Sequence, residues 1–165
     1  MMNFDFRNIY PEEALQAAEI ERICFPPNEA CSESMMLERV AKAPELFLVA
    51  VDQGSGRLAG FLNGLSTMET SLRDEFFTDA GLYDPAGENV MLLGLDVLPE
   101  YRLKGLASEL VRRYANRSRA AGKKTLVLTC LDFRVPMYEK MGFIDLGMSQ
   151  SSWGGEAWHE MIMHL

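Results

Sequence analysis

Apolar and polar residues follow short, regular patterns along most of the chain. Residues 47–52 and 57–66 are β-prone apolar runs joined by the glycine-containing turn 53–56, a pattern typical of a β-hairpin. Residues 90–97 are almost entirely apolar, as expected of a central strand buried on both faces, and a second such strand is predicted at residues 125–130. The amphipathic helix between these two strands predicts a right-handed parallel βαβ unit.

The other segments predict further strands and helices around this unit. In chain order they are a strand at 4–10, a helix that begins at Pro11, a proline-containing loop at 25–32, a helix at 34–43, a short helix at 135–142, and strands at 143–149 and 157–165. In the first helix, helical spacing puts Leu15, Ala18 and Ile23 on the apolar face. We therefore expect an α/β (α+β) fold with a mixed sheet of about six or seven strands and about four helices. The length predicts that residues 1–165 form a single domain.

The segment from residue 67 to residue 88 is the least regular part of the sequence. Ser71, with Asp74 three residues later, has the spacing of a capping pattern and predicts a short helix through Phe77. Turn-forming residues follow this helix. We expect an irregular, mobile excursion here.

Charge and composition narrow the classes of function. The chain has 24 acidic and 16 basic residues, a net charge of -8, which argues against binding to nucleic acid or to an anionic membrane and favours a cationic ligand. There is neither a signal-like N-terminus nor an uncharged apolar run of about 18 residues, so we expect a cytoplasmic protein outside the membrane. Three cysteines without a C-x-x-C motif and two histidines predict neither a disulfide framework nor a metal site. A monomer and a homodimer are equally compatible with the sequence.

Basic residues are concentrated in one segment. Residues 102–124 contain eight of the 16 basic residues and one acidic residue, a local charge of +7, which leaves -15 on the rest of the chain. This distribution predicts an anionic ligand group at the basic segment and a cationic one elsewhere, although a solvated helix face shows the same pattern.

The start of the basic segment has the features of a phosphate-binding loop. Residues 102–108, RLKGLAS, lie between the buried strand and the helix, where unpaired N–H groups and the helix dipole favour an anion. Gly105 and Ala107 leave the backbone accessible, and Arg102 and Lys104 add positive charge. The pattern R-x-x-G-x-A is neither the dinucleotide G-x-G-x-x-G motif nor the P-loop. A diphosphate group fits such a loop.

The order of these elements, together with LDVLPEYRLKGLA at residues 95–107, resembles the GNAT superfamily of acyl-CoA N-acyltransferases. The superfamily motif is [RQ]-x-x-G-x-[GA] between a strand and a helix. The resemblance implies the GNAT fold and acetyl-CoA as cofactor without a metal, with pantetheine along the fourth strand and pyrophosphate on the loop amides. The cofactor-binding residues that it implies are Leu95, Asp96, Val97, Arg102, Leu103, Lys104, Gly105, Leu106, Ala107 and Ser108.

Within the superfamily, residues 25–32, 44–46 and 130–143 resemble the arylalkylamine N-acetyltransferase group, which includes serotonin N-acetyltransferase. This resemblance implies acetyl transfer to a primary amine by direct attack in a ternary complex, with Tyr138 as the acid that protonates the leaving thiolate. In that group the proline-containing loop helps to form the amine pocket. Phe25 and Pro26 of this loop, with Leu93 on the strand, are candidates to line an apolar pocket, although packing in the core explains each of them equally well.

The chain departs from that group at the proton acceptor. Serotonin-type enzymes have two histidines on the fourth strand, and this chain has Met91 and Leu93 there, neither of which accepts a proton. An alkylammonium with a pKa of about 10 must lose a proton before it attacks. Asp96, Glu29 and Asp132 are the alternatives as base or as cation anchor, although a turn or a helix cap also explains Asp132.

Three functions remain open at this stage. The first is acetylation of a small cationic amine, an arylalkylamine or a polyamine, which agrees with the acidic charge outside the basic segment. The second is a protein or peptide N-acetyltransferase. The third is a non-catalytic CoA-binding regulatory module, against which Tyr138 and the complete R-x-x-G-x-A motif argue.

Overall fold

The computed structural model describes residues 3–165, which form a seven-stranded mixed sheet with helices on both faces. The strands are β1 (Phe4–Asn8), β2 (Phe47–Asp52), β3 (Leu58–Thr67), β4 (Asn89–Val97), β5 (Thr125–Cys130), β6 (Ile144–Met148) and β7 (His159–His164). The helices are α1 (Ala14–Cys24), α2 (Glu33–Lys42), α3 (Glu75–Thr78), α4 (Leu106–Ala120) and α5 (Val135–Lys140). The strand order is β1-β2-β3-β4-β5-β7-β6, and β4 and β5 are the parallel pair joined by α4. The predicted mixed sheet and βαβ unit are confirmed.

Helices α1 and α4 lie on opposite faces of the sheet. A Cβ atom built on Gly64 of β3 would lie 2.9 Å from the Tyr114 hydroxyl of α4, whereas one built on Gly94 of β4 would lie 3.5 Å from Glu21 Oε1 of α1. Gly94 pairs with Asn63, the residue before Gly64, and successive residues of a strand point to opposite faces. Two separate surfaces therefore flank the middle of the sheet.

Strands β4 and β5 separate after a short paired stretch. Their parallel register covers three residues of each strand and ends at Met91 opposite Val127. In the next part of β4, Leu93 is an extra residue, because Gly64 opposes Leu92 and Asn63 opposes Gly94. A bulge bends a strand and increases its twist. Beyond it, no strand within residues 3–165 pairs with the edge of β4 that faces away from β3.

The buried face of α1 differs from the one that spacing predicts. Leu15 and Ile23 are 58% and 49% exposed, whereas Ala17, Ala18 and Glu21 are buried. The sequence admits two helical faces, and the small alanines are the side chains that let α1 approach the sheet closely. Of the three residues expected on the buried face, Ala18 is buried and Leu15 and Ile23 are not. The carboxylate of Glu21 is buried instead.

The segment after β3 is packed against the sheet, contrary to the expected excursion. Helix α3 begins at Glu75, and Ser71 does not cap it. Instead the Ser71 hydroxyl and the Leu72 N–H contact the carboxylate of Glu160 on β7, with Leu72 N 2.9 Å from Oε1. Leu72 and Phe76 are buried in the core. The capping prediction was wrong because the partner of Ser71 comes from a distant strand.

Helix α4 agrees with its sequence pattern. Leu106, Leu110, Tyr114 and Ser118 are buried on one face, as predicted. No helix within residues 3–165 combines the length and the apolar character needed to cross a bilayer.

Candidate active site

The loop before α4 presents open amide groups at the start of a long helix. Gly105 precedes the helix with φ 76°, and nothing lies within 4 Å of the position that a Cβ atom would occupy there. Leu103 also has a positive φ of 60° and is fully exposed. A left-handed conformation costs a non-glycine residue about 1–2 kcal/mol, so the surrounding loop imposes this shape. Gly105 and Ser108 are exposed at the start of this 15-residue helix, where N–H groups without a helical partner favour an anion.

The free edge of β4 offers backbone groups to a ligand. Leu98 N donates to Ala59 O of the β3 segment at 2.9 Å, and in an antiparallel ladder every second residue bonds the same neighbour. Asp96 is therefore the next residue whose backbone bonds β3. The N–H and C=O groups of Leu95 and Val97 point to the opposite edge, where β5 has diverged. The side chains of Leu95 and Val97 are partly exposed.

Arg102 and Lys104 differ in whether their side chains form hydrogen bonds within the protein. Arg102 Nε donates to Val97 O at 2.9 Å, and the thiol of Cys24 donates to the same oxygen at 3.3 Å. Lys104 makes no hydrogen bond or ion pair within residues 3–165, and it lines an open groove of about 770 Å³ beside Phe6 and Gln53. Lys104 is thus the basic side chain of the loop that is available to an anion.

The basic side chains of α4 are mostly paired within the protein. Arg112 and Arg113 both form ion pairs with Glu109, Arg117 donates to Asn8, and Arg119 donates to Asn116. Lys124, which follows the helix, pairs with Glu88. The positive segment therefore has partial internal compensation, and the loop amides with Lys104 are its main accessible anion site.

Tyr138 lies on α5 with its hydroxyl available. The ring packs edge-to-face on Phe143 with centroids 5.7 Å apart, and no hydrogen-bond partner of the hydroxyl is found in residues 3–165. Burial raises the pKa of Tyr138 above its usual value, and the thiol of Cys130 adds to the effect while Arg134 opposes it. Tyr138 therefore keeps its proton through neutral and moderately alkaline pH.

The proline-containing loop after α1 is held in place by the segment between β6 and β7. Trp153 Nε1 donates to Glu29 O at 2.8 Å, and Asn28 Nδ2 donates to Gly154 O at 3.0 Å. The Trp153 ring also stacks on Phe77 of α3, with centroids 5.0 Å apart. Three segments that are distant in sequence thus meet on one side of the sheet. Sequence patterns gave no sign of this, since the contacts join residues more than 70 positions apart.

The predicted acceptor residues occupy three different environments. Phe25 is half-buried at the end of α1, and Pro26 is exposed on the loop. Leu93 is buried at the bulge of β4. Glu29 is partly buried, and burial, reinforced by Glu156, raises its pKa. Asp132 is exposed at the start of a 3-10 turn and forms no side-chain hydrogen bond within residues 3–165.

A buried polar cluster lies behind β4. Glu21, Asn63 and Asp96 are each at least 96% buried, and both Asp96 oxygens lack a donor among residues 3–165 when both carboxyl groups are ionised. Glu21 Oε2 accepts from Cys31 N at 3.0 Å. Burial and the charge of Glu21 raise the pKa of Asp96 well above its usual range, and a proton on Asp96 supplies a hydrogen bond to Glu21. Asp96 is one of the site residues predicted from the sequence. Glu21 is not, because it lies on a face of α1 that the spacing marks as polar.

The cysteines have the character of buried thiols. Burial raises the pKa of Cys31 to about 12 and that of Cys130 to about 11, and it also raises that of Cys24. A thiolate nucleophile is therefore disfavoured at neutral pH.

Comparison with known proteins extends these observations. Residues 13–143 match the Acetyltransferase (GNAT) family. Serotonin N-acetyltransferase of Mesocricetus auratus is 33% identical over 150 residues, which cover 87% of this chain and 69% of that protein. Two solved structures share the fold. The GphF GNAT-like decarboxylase in complex with isobutyryl-CoA has a TM-score of 0.80 at 19% identity, covering 97% of this chain and 98% of that one. The loading GNATL domain of CurA from Lyngbya majuscula has a TM-score of 0.82 at 13% identity, covering 98% of both chains.

The family match runs from the start of α1 to the end of α5, so it includes the loop before α4, the free edge of β4 and Tyr138. Sequence and fold agree over nearly the whole chain, and the protein belongs to the GNAT family of acetyltransferases.

Proposed function

We propose that the protein transfers an acetyl group from acetyl-CoA to the primary amine of a small cationic acceptor, an arylalkylamine or a polyamine, by direct attack in a ternary complex. The observation that carries the choice of a small acceptor is the contact of Trp153 with the backbone of Glu29. This contact holds the loop after α1 against the segment between β6 and β7. A peptide acceptor would need an open groove there. The proposal treats residues 1–165 as one domain. It places the protein in the cytoplasm, because the three free cysteines suit a reducing compartment.

The residues present fit acetyl-CoA, which supplies the activated acetyl group. The N–H and C=O groups of Leu95 and the N–H group of Val97 lie on an edge with which no strand within residues 3–165 pairs, and an extended amide-containing arm can bind there. The C=O group of Val97 already accepts from Arg102 and Cys24. The amides from Leu103 to Ser108, with Lys104, suit a pyrophosphate group. The backbone of Asp96 is part of β4, and its side chain lies on the face of the sheet that α1 covers.

Tyr138 serves as the acid in this proposal. Its hydroxyl is protonated at neutral pH and has no partner in the described chain, so it is free to give a proton to the departing sulfur. Amide N–H groups on the free edge of β4 are available to the carbonyl oxygen as it gains negative charge.

The protein is acidic outside its basic segment. Outside residues 102–124 the chain carries a net charge of -15, and Glu29 lies near Glu156 on the paired loops. This field favours a cationic acceptor. The relative named serotonin N-acetyltransferase gives the same direction for the acceptor class.

The test measures CoA thiol release from acetyl-CoA with a panel of arylalkylamines, polyamines and short peptides, using the native enzyme and Tyr138→Phe. We expect turnover with one class of small amine, and a fall in kcat of about 10²-fold or more in Tyr138→Phe. The rise in Tm on adding CoA should be unchanged in this variant. Tyr10→Phe, a change on an exposed tyrosine outside the site, is the matched control.

Other outcomes have distinct meanings. Equal kcat in Tyr138→Phe and the native enzyme would remove Tyr138 as the acid. Turnover with peptides alone would identify a protein N-acetyltransferase. No effect of CoA on Tm would contradict the assignment of the loop.

A further inference from the structure

We propose that Glu21 and Asp96 form a carboxyl pair that takes the proton from the acceptor amine across the side-chain-free face of Gly94. The proposal rests on the acetyltransferase function above. It supplies a proton acceptor to a strand on which Met91 and Leu93 offer none.

Polar atoms from three elements converge on Gly94. A Cβ atom built on this residue would lie 3.1 Å from Asp96 Oδ1, 3.2 Å from Asn63 Nδ2 and 3.5 Å from Glu21 Oε1. Of the polar atoms of these buried side chains, Glu21 Oε1, Asn63 Oδ1 and both Asp96 oxygens have no partner in the described chain. Gly94 itself is partly exposed. The side-chain-free position at Gly94, the niche, is narrow: contacts of 3.1 and 3.2 Å are tight even for a Cβ atom, so a larger residue would press on these polar atoms, whereas the partly exposed glycine leaves them without a covering side chain.

The niche lies next to the proposed reaction centre. Gly94 precedes Leu95, whose backbone faces the free edge of β4, and it follows the bulge at Leu93. It faces α1 and so lies on the opposite side of the sheet from α4.

The pair carries one proton and one negative charge at neutral pH. Two adjacent carboxylates in apolar surroundings cannot both be ionised, and the proton resides on Asp96. Besides Glu21, the ionisable groups that raise the pKa of Asp96 are the thiols of Cys24 and Cys31. The guanidinium groups of Arg39 and Arg102 act on these thiols from farther out. A single remaining negative charge attracts the ammonium and accepts its proton.

The step balances as follows in protons and bonds. An N–H bond of the ammonium breaks, and its proton forms an O–H bond on the pair, which then holds two protons. The nitrogen lone pair bonds the acetyl carbon while the C–S bond breaks and Tyr138 gives its proton to sulfur. A second proton from the nitrogen restores Tyr138, and the pair returns its extra proton to solvent.

The decisive experiment compares pH profiles of kcat/KM for the amine in the native enzyme, Asp96→Asn and Glu21→Gln. Without the pair, the enzyme depends on amine that is already neutral, about 10⁻³ of a pKa 10 amine at pH 7. We therefore expect a loss approaching 10³-fold at pH 7 that shrinks to nothing near pH 10 in the double variant Glu21→Gln/Asp96→Asn, and a smaller loss in each single variant, which keeps one carboxyl group. Glu12→Gln, a change on an exposed glutamate, should leave the profile unchanged. Gly94→Ala, which fills the niche, should reproduce the loss, and the rise in Tm with CoA should persist in every variant.

A loss of activity that is equal at all pH values would overturn the role in proton transfer and leave a structural effect. A second readout does not need turnover. Difference infrared spectra of the native protein minus Asp96→Asn at pH 7 should contain the C=O stretch of a protonated carboxylic acid. Its absence refutes the pair even in an active enzyme. If the band is present but no amine is acetylated, the proposed function fails and the shared proton stands.

Discussion

Replacing Asp96 with asparagine should make the protein more stable at neutral pH. The folded protein holds a proton on Asp96, because burial and the neighbouring Glu21 raise the pKa of this carboxyl well above its usual value. The unfolded chain releases the same proton near pH 4. An asparagine at this position is neutral in both states and keeps the shape of the side chain.

The sign and size of the effect follow from proton linkage. Above pH 4 and below the raised pKa of folded Asp96, the folded state binds one more proton than the unfolded state, so the free energy of unfolding falls as pH rises. One proton corresponds to a slope of about 1.4 kcal/mol per pH unit. Carboxylates with lowered pKa, such as Glu13 and Glu109, have the opposite slope but are present in both proteins and cancel in the difference. The advantage of Asp96→Asn should therefore grow by about 1.4 kcal/mol for each pH unit across this window.

The assay is urea unfolding of both proteins at half-unit steps from pH 4.5 to pH 8, with m-values compared to check for two-state behaviour. A stability difference that does not change with pH would refute the reasoning, since it would mean that Asp96 is ionised in the folded state. Glu12→Gln is the control and should follow the native curve in parallel.

Two further predictions concern the loop before α4 and the closed acceptor side. Gly105→Val should lower the free energy of unfolding by about 1–2 kcal/mol, because φ is 76° there, and should weaken CoA binding. Gly56→Val, at φ 74° in the β2–β3 turn and equally free of steric contact, should cost similar stability and leave the CoA Kd unchanged; equal Kd values in the two variants would contradict a role of the loop. Trp153→Phe keeps the aromatic ring on Phe77 but loses the 2.8 Å bond to Glu29, worth about 1 kcal/mol, so the amine KM should rise about fivefold with CoA binding unchanged; an unchanged KM would argue against closure of the loop at this contact.

The elements with a strong local pattern could be predicted from the sequence. The hairpin of β2 and β3, the buried strands β4 and β5, and the face of α4 that carries Leu110 and Tyr114 all agree with the structure. Each of these elements depends on the periodicity of apolar residues within one segment. The turn at Gly105 depends on a positive φ that favours glycine. Residues that are close in sequence determine both kinds of feature. For the same reason the loop motif was sufficient to indicate the family.

The acceptor side was decided by tertiary structure. The order β5-β7-β6, the separation of β4 from β5 at the bulge, and the contact of Trp153 with Glu29 join residues that are distant in sequence. Glutamate side chains are usually exposed, but Glu21 is buried because α1 packs its alanine face on the sheet. Only the tertiary structure determines this burial. Local patterns record which side chains are apolar, whereas long-range packing decides which face is buried and which polar groups meet there.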